Sequence, residues 1–224
     1  MTTQQNSVAP THIKFFHSFE FSDTKIVGLA PIESLRLIAA DVFKHPVIGR
    51  TVLDIGAWDG FYSFEAERLG ALRVHATDHF CWSGKGWGTK AGFDYVSKVI
   101  GSRIESTDID VFDLDPNRLG TYDTVLFLGV LYHLTDPFGG LKKASEMCND
   151  HLVVETHTDM NDIIEPVMRF HLGSSLNGDP TNFWSPNENC LLEMLRELNF
   201  KRFETSRRPA ESKEGRMVVH AWKQ

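Results

Sequence analysis

Apolar runs and amphipathic stretches alternate along this chain in the order expected of successive β-α-β units. The run Thr51-Val52-Leu53-Asp54-Ile55 reads as a first strand, and Phe64, Ala66 and Leu69 after it share a helical stripe. A second strand is expected over Arg73–Thr77, running into Asp78, then a helix from about Thr89 to Ile100 and a third strand near Ile104–Ile109. Thr124-Val125-Leu126-Phe127-Leu128 shows no alternation, as a strand covered on both faces of a parallel sheet requires. Pro137 opens a helix to about Cys148, Leu152–Glu155 is a fifth strand, and Asn187 starts a helix carrying Leu191, Leu192, Leu195 and Leu198. Two late strands follow near Arg202–Thr205 and Met217–Trp222.

The pattern implies an α/β chain with a doubly wound, mostly parallel, seven-stranded Rossmann-like sheet, the late pair forming an antiparallel edge. Residues 11–28 alternate only loosely, as a short strand or flap, and Pro31 starts a helix that ends near His45-Pro46. Residues 157–186 break the alternation. They are rich in Asn, Asp and Gly and carry Met168, Phe170, Phe183 and Trp184, which favours a folded lid over a plain loop. The expected organisation is an N-terminal flap over 1–30 and a main domain over 31–224, with 157–186 as a substrate-lid insertion.

Composition narrows the setting. With 224 residues, 42% hydrophobic and 24% charged, the chain suits one soluble domain with a sizeable core. No apolar run reaches the roughly 20 residues of a membrane span, and Met1–Pro10 has no signal-peptide pattern. Cys81, Cys148 and Cys190 lie far apart, so neither disulfide framework nor zinc site is expected, and a cytoplasmic setting fits. The formal net charge of -7 weighs against a nucleic-acid grip and toward a small-molecule substrate. The one dense basic group, Lys201, Arg202, Arg207 and Arg208, reads as solvated edge positions. A homodimer is compatible with all of this.

In doubly wound sheets ligands sit beyond the carboxyl ends of the strands, so strand-end residues are the candidates. The first strand ends in Asp54-Ile55-Gly56-Ala57-Trp58-Asp59-Gly60. A pyrophosphate site wants G-x-G-x-x-G; here the acid is on the strand and Trp58-Asp59 fills the turn, which repels phosphate and suits a cationic amino-acid end. Asp78 ends the second strand 24 residues on, placed to accept from a ribose diol. Asp110 and Val111 follow the third, where an acid receives an adenine amino group and an apolar side chain covers the ring. Leu128-Gly129 ends the fourth, and glycine lets backbone approach the ligand.

The loop resembles motif I of class I S-adenosylmethionine-dependent methyltransferases, with Trp58 where the family has its middle glycine. Leu128-Gly129-Val130-Leu131-Tyr132-His133-Leu134-Thr135-Asp136-Pro137, taken with Asp54–Phe64, resembles the branch of tRNA wobble-uridine carboxymethyltransferases and related small enzymes. The resemblance, over about residues 45–156, implies an enzyme using S-adenosylmethionine, held by Asp54, Gly56, Trp58, Gly60, Asp78, Asp110, Val111, Leu128 and Gly129. No carboxylate-binding set maps securely onto the chain, so plain S-adenosylmethionine is expected rather than its carboxy derivative.

For a hydroxyl acceptor, methyl transfer needs a base, and a neutral imidazole suits that role near neutral pH. His133, just past the fourth strand, is the first candidate and His157, past the fifth, the second, with Tyr132 as an apolar wall or a cation–π partner. His17 and His171 are expected at the surface of the flap and the insertion, able to close the pocket from above, and Trp184 to line it. Glu155, His157 and Asp159 have metal-compatible chemistry but no firm spacing, so no metal is expected. The function expected is O-methylation of a small molecule, a secondary metabolite or sugar. Its rivals are a tRNA wobble-uridine modifier and a non-catalytic methyltransferase-like subunit.

Overall fold

The computed structural model describes residues 10–21, 24–208 and 215–224; residues 1–9 of the expected flap, with the signal-peptide reading, lie outside them. A short antiparallel pair, β1 (Phe19–Phe21) and β2 (Thr24–Ile26), precedes α1 (Ile32–Val42). Then come β3 (Thr51–Ile55), α2 (Phe61–Arg68), β4 (Arg73–Asp78), α3 (Ala91–Ile100), β5 (Glu105–Asp108), α4 (Pro116–Leu119) and β6 (Tyr122–Leu128). The chain continues through α5 (Pro137–Met147), β7 (Cys148–Thr158), β8 (Met168–Phe170), β9 (Trp184–Pro186), α6 (Glu188–Glu197), β10 (Arg202–Arg208) and β11 (Gly215–Trp222).

Seven of these strands form one sheet in the order β10-β11-β7-β6-β3-β4-β5. The five strands from β7 to β5 are parallel, and β11 pairs antiparallel with both β7 and β10, giving the antiparallel edge. The winding direction reverses between β3 and β6, and a crevice opens at such a reversal beyond the strand ends.

Both faces are covered, which accounts for the unbroken apolar run in β6. Val125 and Phe127 face one core with Leu141, Ala144, Leu191 and Leu195 from α5 and α6. Leu126 faces the other, against Val42 of α1 and Ala66 of α2. Helix starts follow sequence chemistry. Asp136 and Asn187 accept from Gly139 and Cys190 amides, and Pro137 occupies a first-turn position where its missing N–H costs nothing.

A third core binds the N-terminal segment to the domain. Phe15, Phe19 and Ile26 pack with Ile32, Leu35, Phe61, Phe64, Trp82 and Phe93. Residues 159–183 leave β7 and return through β9, which pairs antiparallel with β8. The base of this excursion is closed by the Asp159 amide and the Thr158 hydroxyl, both donating to the Pro186 carbonyl.

Candidate active site

The turn after β3 is built for close approach. Gly56 has φ 78° and donates to the Thr77 carbonyl; a Cβ there would run into Val130. Gly60, at φ 86°, is the N-cap of α2, and a Cβ on it would meet the Phe93 and Phe64 rings. Between them Trp58 takes φ 49°, a left-handed conformation uncommon outside glycine. Its amide donates to Asp78 Oδ2 at 3.0 Å, its carbonyl accepts from Trp82 Nε1 at 2.7 Å, and its ring stacks on Phe16 with centroids 4.0 Å apart.

Three acids line this turn. Asp54 is 2% exposed and accepts from the Ser63 hydroxyl at 2.5 Å; burial pushes its carboxyl up to about 7. Asp59 is equally buried and accepts from the Phe16 and His17 amides at 2.6 and 3.0 Å, and burial still lifts it to about 6. Asp78 accepts from the Trp58 and Cys81 amides, and burial raises it as well. None of the three has an ion-pair partner among the described residues. Asp110 caps the short 3-10 turn Val111–Asp113 through the Phe112 amide, and Val111 packs partly buried on the larger core.

A second cluster gathers across the crevice, past β6 and β7. Gly129, at φ 71°, donates to the Glu155 carbonyl, while Leu128 is buried. Leu131–His133 forms a 3-10 turn that packs Tyr132 against both His133 and His157, at centroid distances of 4.3 and 4.6 Å. His133 Nδ1 lies 3.0 Å from the Thr181 carbonyl, an acceptor only, so this nitrogen carries the hydrogen and Nε2 holds the lone pair. Burial lowers the pKa of His133 and keeps it neutral.

His157 differs. Its Nε2 accepts from Arg216 Nη1 at 3.0 Å and faces the Asn177 amide group at 3.2 Å; burial, then the Arg216 charge, lower its pKa to about 3. Its lone pair is already engaged. Arg216 grips buried Glu155 through Nε and Nη2, the latter at 2.6 Å, and reaches the Tyr132 hydroxyl at 3.4 Å. Burial works against the guanidinium charge and Glu155 overrides it, holding it well above its usual range. Asp159 is paired with Arg169 at 2.7 Å, so Glu155, His157 and Asp159 bind arginines instead of converging. No three metal-binding side chains gather elsewhere among the described residues.

The flap histidine departs from expectation. His17 is 6% exposed, ringed by Trp58, Phe19, Phe61 and Tyr62 at centroid distances of 6.1 to 6.4 Å, and burial lowers its pKa to about 3. His171 is half-buried and bonded to Ser185 Oγ at 2.8 Å. Trp184 packs on Phe170 in the excursion. Arg207 and Arg208 pair with Glu188 and Asp41, so the basic group of the last strands is largely neutralised.

Two residues of this region escape a strand-end reading of the sequence. Tyr62, the second residue of α2, is close enough to Glu155, Arg216, Asp54 and Tyr132 to feel their electrostatic influence, and burial raises its pKa. Arg216 opens β11, whose antiparallel register sets it beside His157. An antiparallel strand begins at the end where its parallel neighbours finish, and that rule would have flagged it.

Comparison with known proteins gives a consistent picture. No family model matches the chain. Over 166 residues it is 26% identical to a tRNA U34 carboxymethyltransferase of Actinobacillus pleuropneumoniae serotype 3 (strain JL03), covering 70% of this chain and 47% of that protein. The chain thus spans about half the length of the curated relatives it matches. Among solved structures, the N-terminal domain of EvdMO1, crystallised with SAH and D-fucose, aligns with a TM-score of 0.71 at 19% identity, over 94% of this chain and 91% of that one. The 1,6-didemethyltoxoflavin-N1-methyltransferase of Burkholderia thailandensis aligns with a TM-score of 0.62 at 18% identity, over 85% and 78%. At such identities these structures establish the fold alone.

Proposed function

We propose that this chain, which resembles the class I S-adenosylmethionine-dependent methyltransferases of the wobble-uridine carboxymethyltransferase branch and shares their fold, is itself such an enzyme. Its acceptor is a hydroxyl on a small molecule, a sugar or a secondary metabolite. One observation carries the reading: Asp54, Asp59 and Asp78 form a buried acidic floor with no cation opposite them among the described residues. Such a floor disfavours phosphate and suits a ligand that brings its own positive charge.

In this reading Asp54, Gly56, Trp58 and Gly60 hold the amino-acid end. Asp78 takes the ribose diol; both its oxygens already accept from amides, and each keeps a second lone pair. Asp110 and Val111 receive the adenine, and Leu128 and Gly129 form the edge beside the sulfonium. S-adenosylmethionine supplies an electrophilic methyl group. His133 accepts the hydroxyl proton at Nε2, its ring oriented by Thr181 through Nδ1. His157, with its lone pair held by Arg216, steadies Tyr132 and is a weaker candidate for the base. A cytoplasmic setting belongs to the same proposal, and no helix among the described residues is long and apolar enough to cross a membrane.

Sequence likeness to the U34 enzymes motivates a second reading, a tRNA wobble modifier. The paired arginines of β10 and the net charge of -7 favour the small molecule. The deciding experiment offers labelled S-adenosylmethionine with host small-molecule and RNA fractions. Label on a small-molecule hydroxyl supports the main reading, and label in tRNA transfers support to the second. Cofactor binding with no label in either fraction points to a non-catalytic subunit. Failure to bind S-adenosylhomocysteine removes all three.

A further inference from the structure

Two buried ring nitrogens beside the motif loop have no hydrogen-bond partner: His17 Nδ1 and Trp58 Nε1. Burying a polar atom without a partner is costly, so a pair of them on touching rings asks what satisfies them. The ring centroids are 6.3 Å apart. Of the buried aromatic nitrogens without a partner among the described residues, only these two belong to rings that touch one another.

Neither ring is loosely held. The His17 amide donates to Asp59, its backbone bridges to Ala30, and a Cβ on Gly28 would meet the His17 carbonyl at 2.5 Å. Trp58 is fixed by Asp78, Trp82 and the Phe16 stack. The His17 ring also packs edge-on against Tyr62, 6.1 Å away, and Tyr62 in turn feels the electrostatic influence of Asp54, Glu155, Arg216 and Tyr132. The two rings therefore adjoin the acidic turn and, through Tyr62, the residues around Glu155 and Arg216.

Chemistry selects the ligand group. An indole N–H only donates, whereas a neutral imidazole nitrogen donates or accepts according to tautomer. A hydroxyl, both donor and acceptor, satisfies this pair in either tautomer. An ammonium cannot accept from the indole, and a carboxylate would sit near Asp59, whose carboxyl already holds the His17 amide. Aromatic rings around polar tips also suit the mixed apolar and hydroxylated faces of a sugar ring.

We propose that His17 and Trp58 form the acceptor-recognition subsite, binding one hydroxyl of a neutral, sugar-like acceptor through His17 Nδ1 and Trp58 Nε1. The proposal rests on the methyltransferase reading and names the class of its acceptor. Recognition is thus supplied by the N-terminal segment together with the motif loop.

The test uses the full chain loaded with S-adenosylhomocysteine and a panel of free monosaccharides headed by D-fucose, read by saturation-transfer NMR and titration. At least one sugar should bind. His17→Ala and Trp58→Phe should each weaken it by about tenfold or more, and His17→Gln, which restores donor and acceptor, should recover part of the loss. For the His17 variants the S-adenosylhomocysteine Kd should stay within about threefold of the parent, which also reports that they are folded. Absence of any monosaccharide binding, or unchanged sugar affinity in both variants, overturns the proposal while leaving the cofactor reading intact. So does a Trp58→Phe variant that loses S-adenosylhomocysteine instead of sugar. Failure of the parent protein to bind S-adenosylhomocysteine sinks the methyltransferase reading itself.

Discussion

Acidification should weaken S-adenosylmethionine binding steeply, because a cationic ligand needs Asp54 ionised. Burial to 2% exposure lifts this carboxyl to about 7, against the opposing Ser63 hydrogen bond. The sign follows from linkage. The free protein holds the proton below about pH 7, and the cation must expel it, so affinity is greatest above that pH and falls below it. From about pH 8 to about pH 5.5 the ionised fraction drops roughly 30-fold, and the Kd should rise by the same factor, equivalent to about 2 kcal/mol. Asp59, lifted to about 6, adds a smaller loss over the same interval. Calorimetry in two buffers of different ionisation enthalpy counts the proton directly, and roughly half a proton should leave per ligand bound at about pH 7. Asp54→Asn should bind weakly and with most of the pH dependence gone. A Kd that stays flat down to about pH 5.5, or proton uptake on binding, would refute the acidic-floor argument.

Other outcomes can be stated more briefly. His133→Ala should cut kcat by roughly 10²-fold with cofactor affinity unchanged; an unaltered rate in single-turnover assays would remove it as the base. Arg216→Met leaves Glu155 buried and unpaired and should cost about 3–5 kcal/mol in urea denaturation, most of it recovered in Arg216→Met with Glu155→Leu. Asp59→Ala strands two amide donors and should remove about 2–4 kcal/mol, with hydrogen exchange at Phe16 and His17 rising before the rest of the fold responds. The apo protein should lose stability on acidification. His17, His151 and His157, held near 3, and His220, near 4, stay neutral when folded but take protons when unfolded below about 6.5, a loss of about 1.4 kcal/mol each at pH 5.5. Asp54 and Asp59 act in the opposite sense, since their raised folded values favour the native state as pH falls from about 7 toward 3.8, and return about 3 kcal/mol. A net loss of about 3 kcal/mol from pH 8 to pH 5.5 is expected, and urea midpoints that hold steady or rise would contradict it.

Much of the fold was legible because burial on two faces leaves a mark that one face does not. Val125 to Leu128 could be continuously apolar only if helices covered both sides, and they do. Local chemistry marked boundaries where it was decisive, as at Pro137 and Asn187. The candidate site was less legible, since its second cluster is created by strand register. Arg216 reaches Glu155 and His157 only because β11 runs antiparallel to β7, a fact absent from either segment alone. β7 likewise extends from Cys148 to Thr158, beyond its apolar Leu152–Glu155 centre, because β11 pairs along most of its length. His17 shares its parity with the core residues Phe15 and Phe19, so alternation in the flap placed it inward; the polar character of imidazole argued for the surface and lost.

Trp58 ties these observations together. A non-glycine residue in the left-handed region costs on the order of 1–2 kcal/mol, and motif loops ordinarily avoid it with glycine. Here the offsetting contacts all come from outside the loop: a stack on Phe16 worth about 0.5–1.5 kcal/mol, and a hydrogen bond from the Trp58 amide to the Asp78 carboxylate worth about 1.5–3 kcal/mol. Asp59, next in sequence, grips the backbone of that same Phe16 and of His17. The N-terminal segment thus adds the Phe16 stack to the contacts that hold the loop's strained conformation, and Asp59 of the loop in turn helps hold that segment. The acidic turn and the N-terminal segment are therefore physically linked, and His17 is held in place by a residue of the turn itself. Replacing a glycine with tryptophan costs local freedom in the loop and in exchange couples the two sides of the site.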